Sequence, residues 1–94
     1  MERVLDRAQD WPDLIHRALG ELMVRQVAFV PDAGHTRLIG LCQSDPSMRA
    51  VPLTTEEEGV ALAAGAWLGG QRAVLLMQSS GVGNCVNMLA LTRV

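Results

Sequence analysis

The sequence predicts an α/β fold, an open parallel sheet with helices on both faces. Two observations lead there. Three short, largely apolar runs, at residues 27–30, 49–53 and 73–77, are bounded by turn residues and have the length of strands rather than helices. Each is followed by a loop and then by a stretch of helical character, and strands that alternate with helices build a parallel sheet with right-handed crossovers.

A first helix opens at Trp11-Pro12-Asp13, where an early Pro and a first-turn acid favour a helix start. Leu14, Ile15, Ala18, Leu19 and Leu22 recur at helical spacing, which ends the helix near Met23. The first strand, 27–30, is stopped by Pro31-Asp32-Ala33-Gly34, and a helix is expected over 36–42. Ser44-Asp45-Pro46-Ser47 is turn chemistry ahead of the second strand, 49–53. From Glu56 an Ala-rich helix runs to the glycine stop Gly69-Gly70. The third strand, 73–77, reads as buried and leads into a Gly- and Ser-bearing loop at 78–83 and a last helix at 84–93. Ligands of such sheets bind where the strands end, so the loops around Asp32, Glu56 and Gly81 are expected to meet at a site.

The chain of 94 residues holds one domain at most, and residues 1–94 read as an incomplete one, because a three-strand sheet is small and the chain stops on a helix. Net charge is −2, with eight Arg and no Lys spread along the chain, so no basic stripe exists to engage a nucleic-acid backbone. No apolar run approaches the roughly 20 residues that cross a bilayer, and the charged N-terminus has no apolar signal core. A soluble, cytoplasmic protein is expected, with no membrane partner. Cys42 and Cys85 lack any metal-ligand spacing, so no metal site is predicted and both read as buried small hydrophobes. Trp11, Trp67 and the Met residues read as core or interface.

Two segments carry candidate chemistry. In Thr54-Thr55-Glu56-Glu57-Glu58 the pairs Thr54/Glu57 and Thr55/Glu58 both match a capping box, while Glu56, nearest the strand end, is best placed to hold a proton in a closed site. In Gln78-Ser79-Ser80-Gly81-Val82-Gly83-Asn84 the glycines permit a tight turn and close approach to a ligand, with Asn84 as the helix cap. That loop matches neither the P-loop nor the dinucleotide fingerprint. The small residues Gly59, Ala61, Ala63, Ala64, Gly65 and Ala66 suit close helix packing. His35, beside Gly34, suits an acid, a base or an anion contact, or a solvated loop side chain.

Taken together, residues 56–65 followed by 73–84 resemble the pyrimidine-binding (Pyr) domain of thiamine-diphosphate enzymes, and most of all the sulfopyruvate decarboxylase alpha chains and phosphonopyruvate decarboxylases. The resemblance reaches back to about Trp11. It implies the thiamine-diphosphate-binding fold, with Glu56 as the catalytic acid, since counting back nine positions from Gly65 reaches Glu56. It implies that Val82 packs on the cofactor's pyrimidine between Gly81 and Gly83, and that the substrate, a small acidic 2-oxoacid, lies near Asp32, His35, Gln78, Ser79 and Asn84. Ser79 stands where the family commonly has Asn, and Ala33 where some relatives place an acidic or hydroxyl group. The family's GDG motif for Mg2+ and diphosphate is missing, so the resemblance implies a diphosphate-binding domain or beta subunit elsewhere and a homo- or hetero-oligomer. A carboligase of the same cofactor class and a cofactor-free α/β interaction module are the competing expectations.

Overall fold

The computed structural model describes residues 10–92. In order these form α1 (Trp11–Glu21), β1 (Val24–Phe29), a 3-10 turn (Ala33–His35), α2 (Thr36–Ser44), β2 (Arg49–Pro52), α3 (Glu56–Leu68), β3 (Arg72–Leu76), a second 3-10 turn (Ser79–Gly81) and α4 (Val82–Leu91). Residue 93, the expected end of the last helix, lies outside the described residues, as does the charged segment 1–9.

The strands are parallel and stand in the order β2-β1-β3, so both later strands pair with the first. Register assigns the faces. Val27 stands beside Ala50 and Val74, and Phe29 beside Pro52 and Leu76, while Ala28 lies between Val51 and Leu75 on the opposite face. The first face is covered by α1 and α2, whose Leu19, Leu38 and Cys42 join Val24, Val27 and Met48 in the core. The second is covered by α3, where Gly59 comes so close to Leu75 and Leu53 that a Cβ there would collide with both. α4 packs against α3. Helices on both faces of an open parallel sheet are therefore what the chain builds.

Three expectations are corrected. β1 begins at Val24 rather than at residue 27, with an irregularity in its pairing to β3 between Val24 and Gln26. In a regular strand Val24 and Val27 would point to opposite faces; the irregularity returns both to one core, and the polar Arg25 and Gln26 hid the start of the strand. β3 is only half-buried rather than a buried strand, because it has one neighbour and β1 alone is paired on both edges. Trp67 is 73% exposed and Trp11 40%, so of the two expected places, core or interface, the core is excluded for both. Cys42 and Cys85 are both buried, as expected.

Two polar links tie α1 to the α2 region. Arg37 donates to Asp13 through Nη2 at 2.9 and 3.0 Å and through Nε at 3.2 Å. His16 Nε2 lies 2.8 Å from Asp45 Oδ2, while Asp45 Oδ1 accepts from the Ser47 hydroxyl at 2.7 Å and the Ser47 N–H at 2.9 Å. The Ser47 hydroxyl above all, then the Ser47 N–H and His16, hold the Asp45 carboxyl below the usual carboxylate range. A carboxyl whose folded pKa is depressed stabilises the fold above its unfolded value, about 4, and the contribution fades as pH falls through the folded value. Asp45→Asn should therefore lower the melting temperature at pH 7, and thermal melts should find the gap to the native chain narrowing as pH falls below the unfolded value.

Candidate functional site

Because every strand is parallel, all three carboxyl ends emerge on one side of the sheet, and the predicted loops meet there. Glu56 is the first residue of α3, with Thr55 as N-cap. Glu58 and Thr55 make the capping box. Glu58 Oε1 accepts from the Thr55 N–H at 2.8 Å and the Thr54 N–H at 3.0 Å, and these bonds, Thr55 first, hold its carboxyl below the usual range. Glu56 does something else. Its Oε1 accepts from Asn84 Nδ2 at 2.8 Å, and its side chain lies across the backbone of Gly81. A Cβ on Gly81 would stand 2.5 Å from Glu56 Cγ and 3.0 Å from Oε2. Glu57 enters neither arrangement.

The loop after β3 differs from expectation in a way that matters. Gly81 N–H bonds Gln78 O at 2.9 Å, closing a 3-10 turn that runs directly into α4, with Gly81 as N-cap and Val82 as first residue. Asn84 is thus inside the first turn and is not the helix cap. Its side chain is free to cross to α3, which is how it reaches Glu56. Gly81, Asn84 and the buried Cys85 form one strip of α4 facing α3. Burial first, then the charges of Glu56 and Glu57, raise the Cys85 thiol above its usual range, so it stays protonated and inert.

A second cluster joins the same loop to the end of β1. Gln78 Nε2 donates to Asp32 Oδ1 at 2.6 Å, and Ser80 Oγ lies 3.4 Å from Gln78 Oε1. His35 Nδ1 is buried without a hydrogen-bond partner, 3.9 Å from Asp32 Oδ2. The structure so brings Glu56, Gly81 and Asn84 together, and Asp32, His35 and Gln78 together, with the loop between them. Ser79, Val82 and Gly83 are exposed at this rim, and nothing within the chain crowds Gly83. The pairings among these side chains were not legible beforehand, since contacts between loops leave no spacing signal.

A depression of about 690 Å3 lies elsewhere, lined by Trp11, Gly34, Arg37, Leu41 and Ser44 among others. Its charged residue, Arg37, is already paired with Asp13. No carboxylate lines it, whereas the strand ends gather two carboxylate clusters. Among the described residues no group of His, Cys, Asp and Glu is placed to hold a metal ion, and no helix is long and apolar enough to cross a membrane.

No family model matches the chain. Individual curated proteins do. Over 76 residues it is 37% identical to the sulfopyruvate decarboxylase subunit alpha of Methanocaldococcus jannaschii, an alignment covering 81% of this chain and 45% of the relative. Over 77 residues it is 46% identical to the phosphonopyruvate decarboxylase of Streptomyces viridochromogenes, covering 82% of this chain and 19% of the relative. By sequence, the chain is a homologue of sulfopyruvate and phosphonopyruvate decarboxylases over most of its own length. The subunit alpha of Methanococcus maripaludis, 35% identical over 77 residues, gives the same assignment with 82% of this chain covered and 46% of the relative. The chain thus spans about half the length of the alpha subunits it matches and about a fifth of the phosphonopyruvate decarboxylase.

Two glycines touch different things, and their substitutions should separate. Gly59→Ala drives a methyl into the packed Leu53 and Leu75 and should destabilise by about 1–3 kcal/mol, outweighing the better helix propensity of Ala. Gly81→Ala meets the movable Glu56 side chain, so stability should change by only about 0.5 kcal/mol while Glu56 is pushed off Asn84. Denaturant midpoints and a structure of each variant check this; equal destabilisation by both changes would contradict it.

Proposed function

We propose that the chain supplies the pyrimidine-binding part of a thiamine-diphosphate-dependent decarboxylase for a small acidic 2-oxoacid of the sulfopyruvate or phosphonopyruvate kind. One observation carries the reading. Of three adjacent glutamates, Glu58 is consumed in capping α3, and Glu56 is the one turned toward the Gly loop at the strand ends.

The residues present suit an aminopyrimidine, which has apolar faces and a polar edge. Val82 offers an exposed apolar side chain, 49% accessible, at the start of α4. Gly81 has no Cβ where one would strike Glu56, so the carboxyl can lie against the backbone of the Gly loop. Glu56 supplies the polar edge. When bound, thiamine diphosphate supplies the electron sink that lets a 2-oxoacid lose carbon dioxide. Glu56 then holds or passes a proton at Oε2, the oxygen that Asn84 leaves open. Asp32, His35 and Gln78 lie one loop away and are suited to face the substrate, with Gln78 fixing the direction of the Asp32 carboxylate. Ser79 is exposed on the same rim.

Glu56 is only half-buried and its cluster lies on an open surface, so a second surface is needed to exclude water from the chemistry. We assign that surface to a diphosphate-binding domain or beta subunit, which would also bring the GDG motif and hold Mg2+. The relatives named subunit alpha favour a separate partner chain.

In a complex reconstituted with that partner, Glu56→Gln should abolish decarboxylation, because an amide cannot carry the acid's proton. Glu57→Gln and Glu58→Gln should keep most of the activity and of the stability; Gln still serves at the third position of a capping box. Turnover and melting curves on the three variants decide it. Near-normal turnover in Glu56→Gln, with loss in a neighbour, would move the proton-handling role to that neighbour.

A further inference from the structure

Within one short loop, two side-chain amides each hold one carboxylate from a different strand end: Gln78 holds Asp32 at Oδ1, and Asn84 holds Glu56 at Oε1. The second contact has a consequence for proton position. An oxygen that already accepts an N–H bond is a poor place for an O–H, since two donors would then face each other. The proton of the neutral acid is directed to the other oxygen. We infer that Asn84 is a positioning residue for Glu56, its amide occupying Oε1 so that the carboxyl proton resides on Oε2, the oxygen lying over Gly81.

The competing roles for Asn84 fit less well. It does not cap α4, because it lies inside the first turn and Gly81 is the N-cap. A substrate contact would have to use the second N–H or Oδ1, which leaves the bond to Glu56 in place. Its backbone is locked by α4, and Gly81, three residues before it, forms the floor under the same side chain, so the amide is aimed from a rigid element. The arrangement also explains why two glutamates of the same helix turn behave differently. Glu58 turns back to the N–H groups of its own N-terminus, whereas Glu56 is drawn forward by an amide on the next helix.

The inference rests on the reading of Glu56 as the proton-handling carboxyl, and two measurements separate the failure of one from the failure of the other. In the full chain without cofactor, the side-chain amide NMR signals of Asn84 should move on Glu56→Gln and stay in place on Glu57→Gln. In the reconstituted complex, Asn84→Ala should lower kcat roughly 3- to 10-fold, the loss of one hydrogen bond to a neutral carboxyl group. KM for the 2-oxoacid should stay within roughly twofold, because the amide acts through Glu56. Asn84→Gln, which keeps the amide on a longer arm, should recover part of kcat, and Asn87→Ala, an exposed position one turn along, should leave it unchanged. Asn84 signals indifferent to Glu56→Gln would overturn the inference. So would wild-type turnover by Asn84→Ala alongside an inactive Glu56→Gln, an outcome that leaves the decarboxylase reading standing. Full activity in Glu56→Gln would remove both.

Discussion

Because β2 and β3 both pair with β1 in parallel, the chain leaves every strand on the same side of the sheet. That constraint places residues far apart in sequence within hydrogen-bond reach. Asp32 follows β1 and Gln78 follows β3, yet their side chains meet at 2.6 Å. Glu56 follows β2, but α3 crosses the sheet to pack on β3, and its first turn arrives beside the first turn of α4. Backbone bonds just past the strand ends, from Val30 N–H to Leu76 O and from Leu53 N–H to Phe29 O, hold the three exits together.

On this frame a local competition sorts the acids of α3. The first turn of a helix has N–H groups without partners, and the nearest carboxyl able to fold back upon them is taken. At this junction that carboxyl is Glu58, three residues past the N-cap. Glu56, at the first helical position, cannot fold back in that way and projects from the end of α3. The glycine at position 81 then matters as empty space: a side chain there would fill the ground that Glu56 occupies. Capping and candidate chemistry are thus compatible because they use different members of the same acidic run.

Much of the fold was legible in the sequence. Strands announced by short apolar runs and helices announced by capping and glycine stops are local signals, and α2, β2 and α3 fall close to where the residues place them. What failed had non-local causes. The start of β1 was hidden by Arg25 and Gln26, which a pairing irregularity accommodates at the end of the sheet. The half-burial of β3 follows from strand order, which no apolar run encodes. In the small-residue helix, only Gly59 meets close neighbours, while Gly65 faces open space, since helix periodicity lets one of the two face the sheet. For the site, the loop segments and Glu56 were readable from residue type and resemblance. The choice between Thr54/Glu57 and Thr55/Glu58 for the cap, and the crossing of Asn84 to Glu56, needed three dimensions.

The central claim is that Glu56, rather than either neighbouring acid, faces the cofactor. A crystal structure of the chain with its diphosphate-binding partner, thiamine diphosphate and Mg2+ tests it most directly. The account predicts the aminopyrimidine against Val82, with a Glu56 oxygen within about 3 Å of its edge and Glu58 still bonded to the Thr55 N–H. A pyrimidine edge held by Glu57 or Glu58, or a ring bound away from Gly81 and Val82, would contradict it.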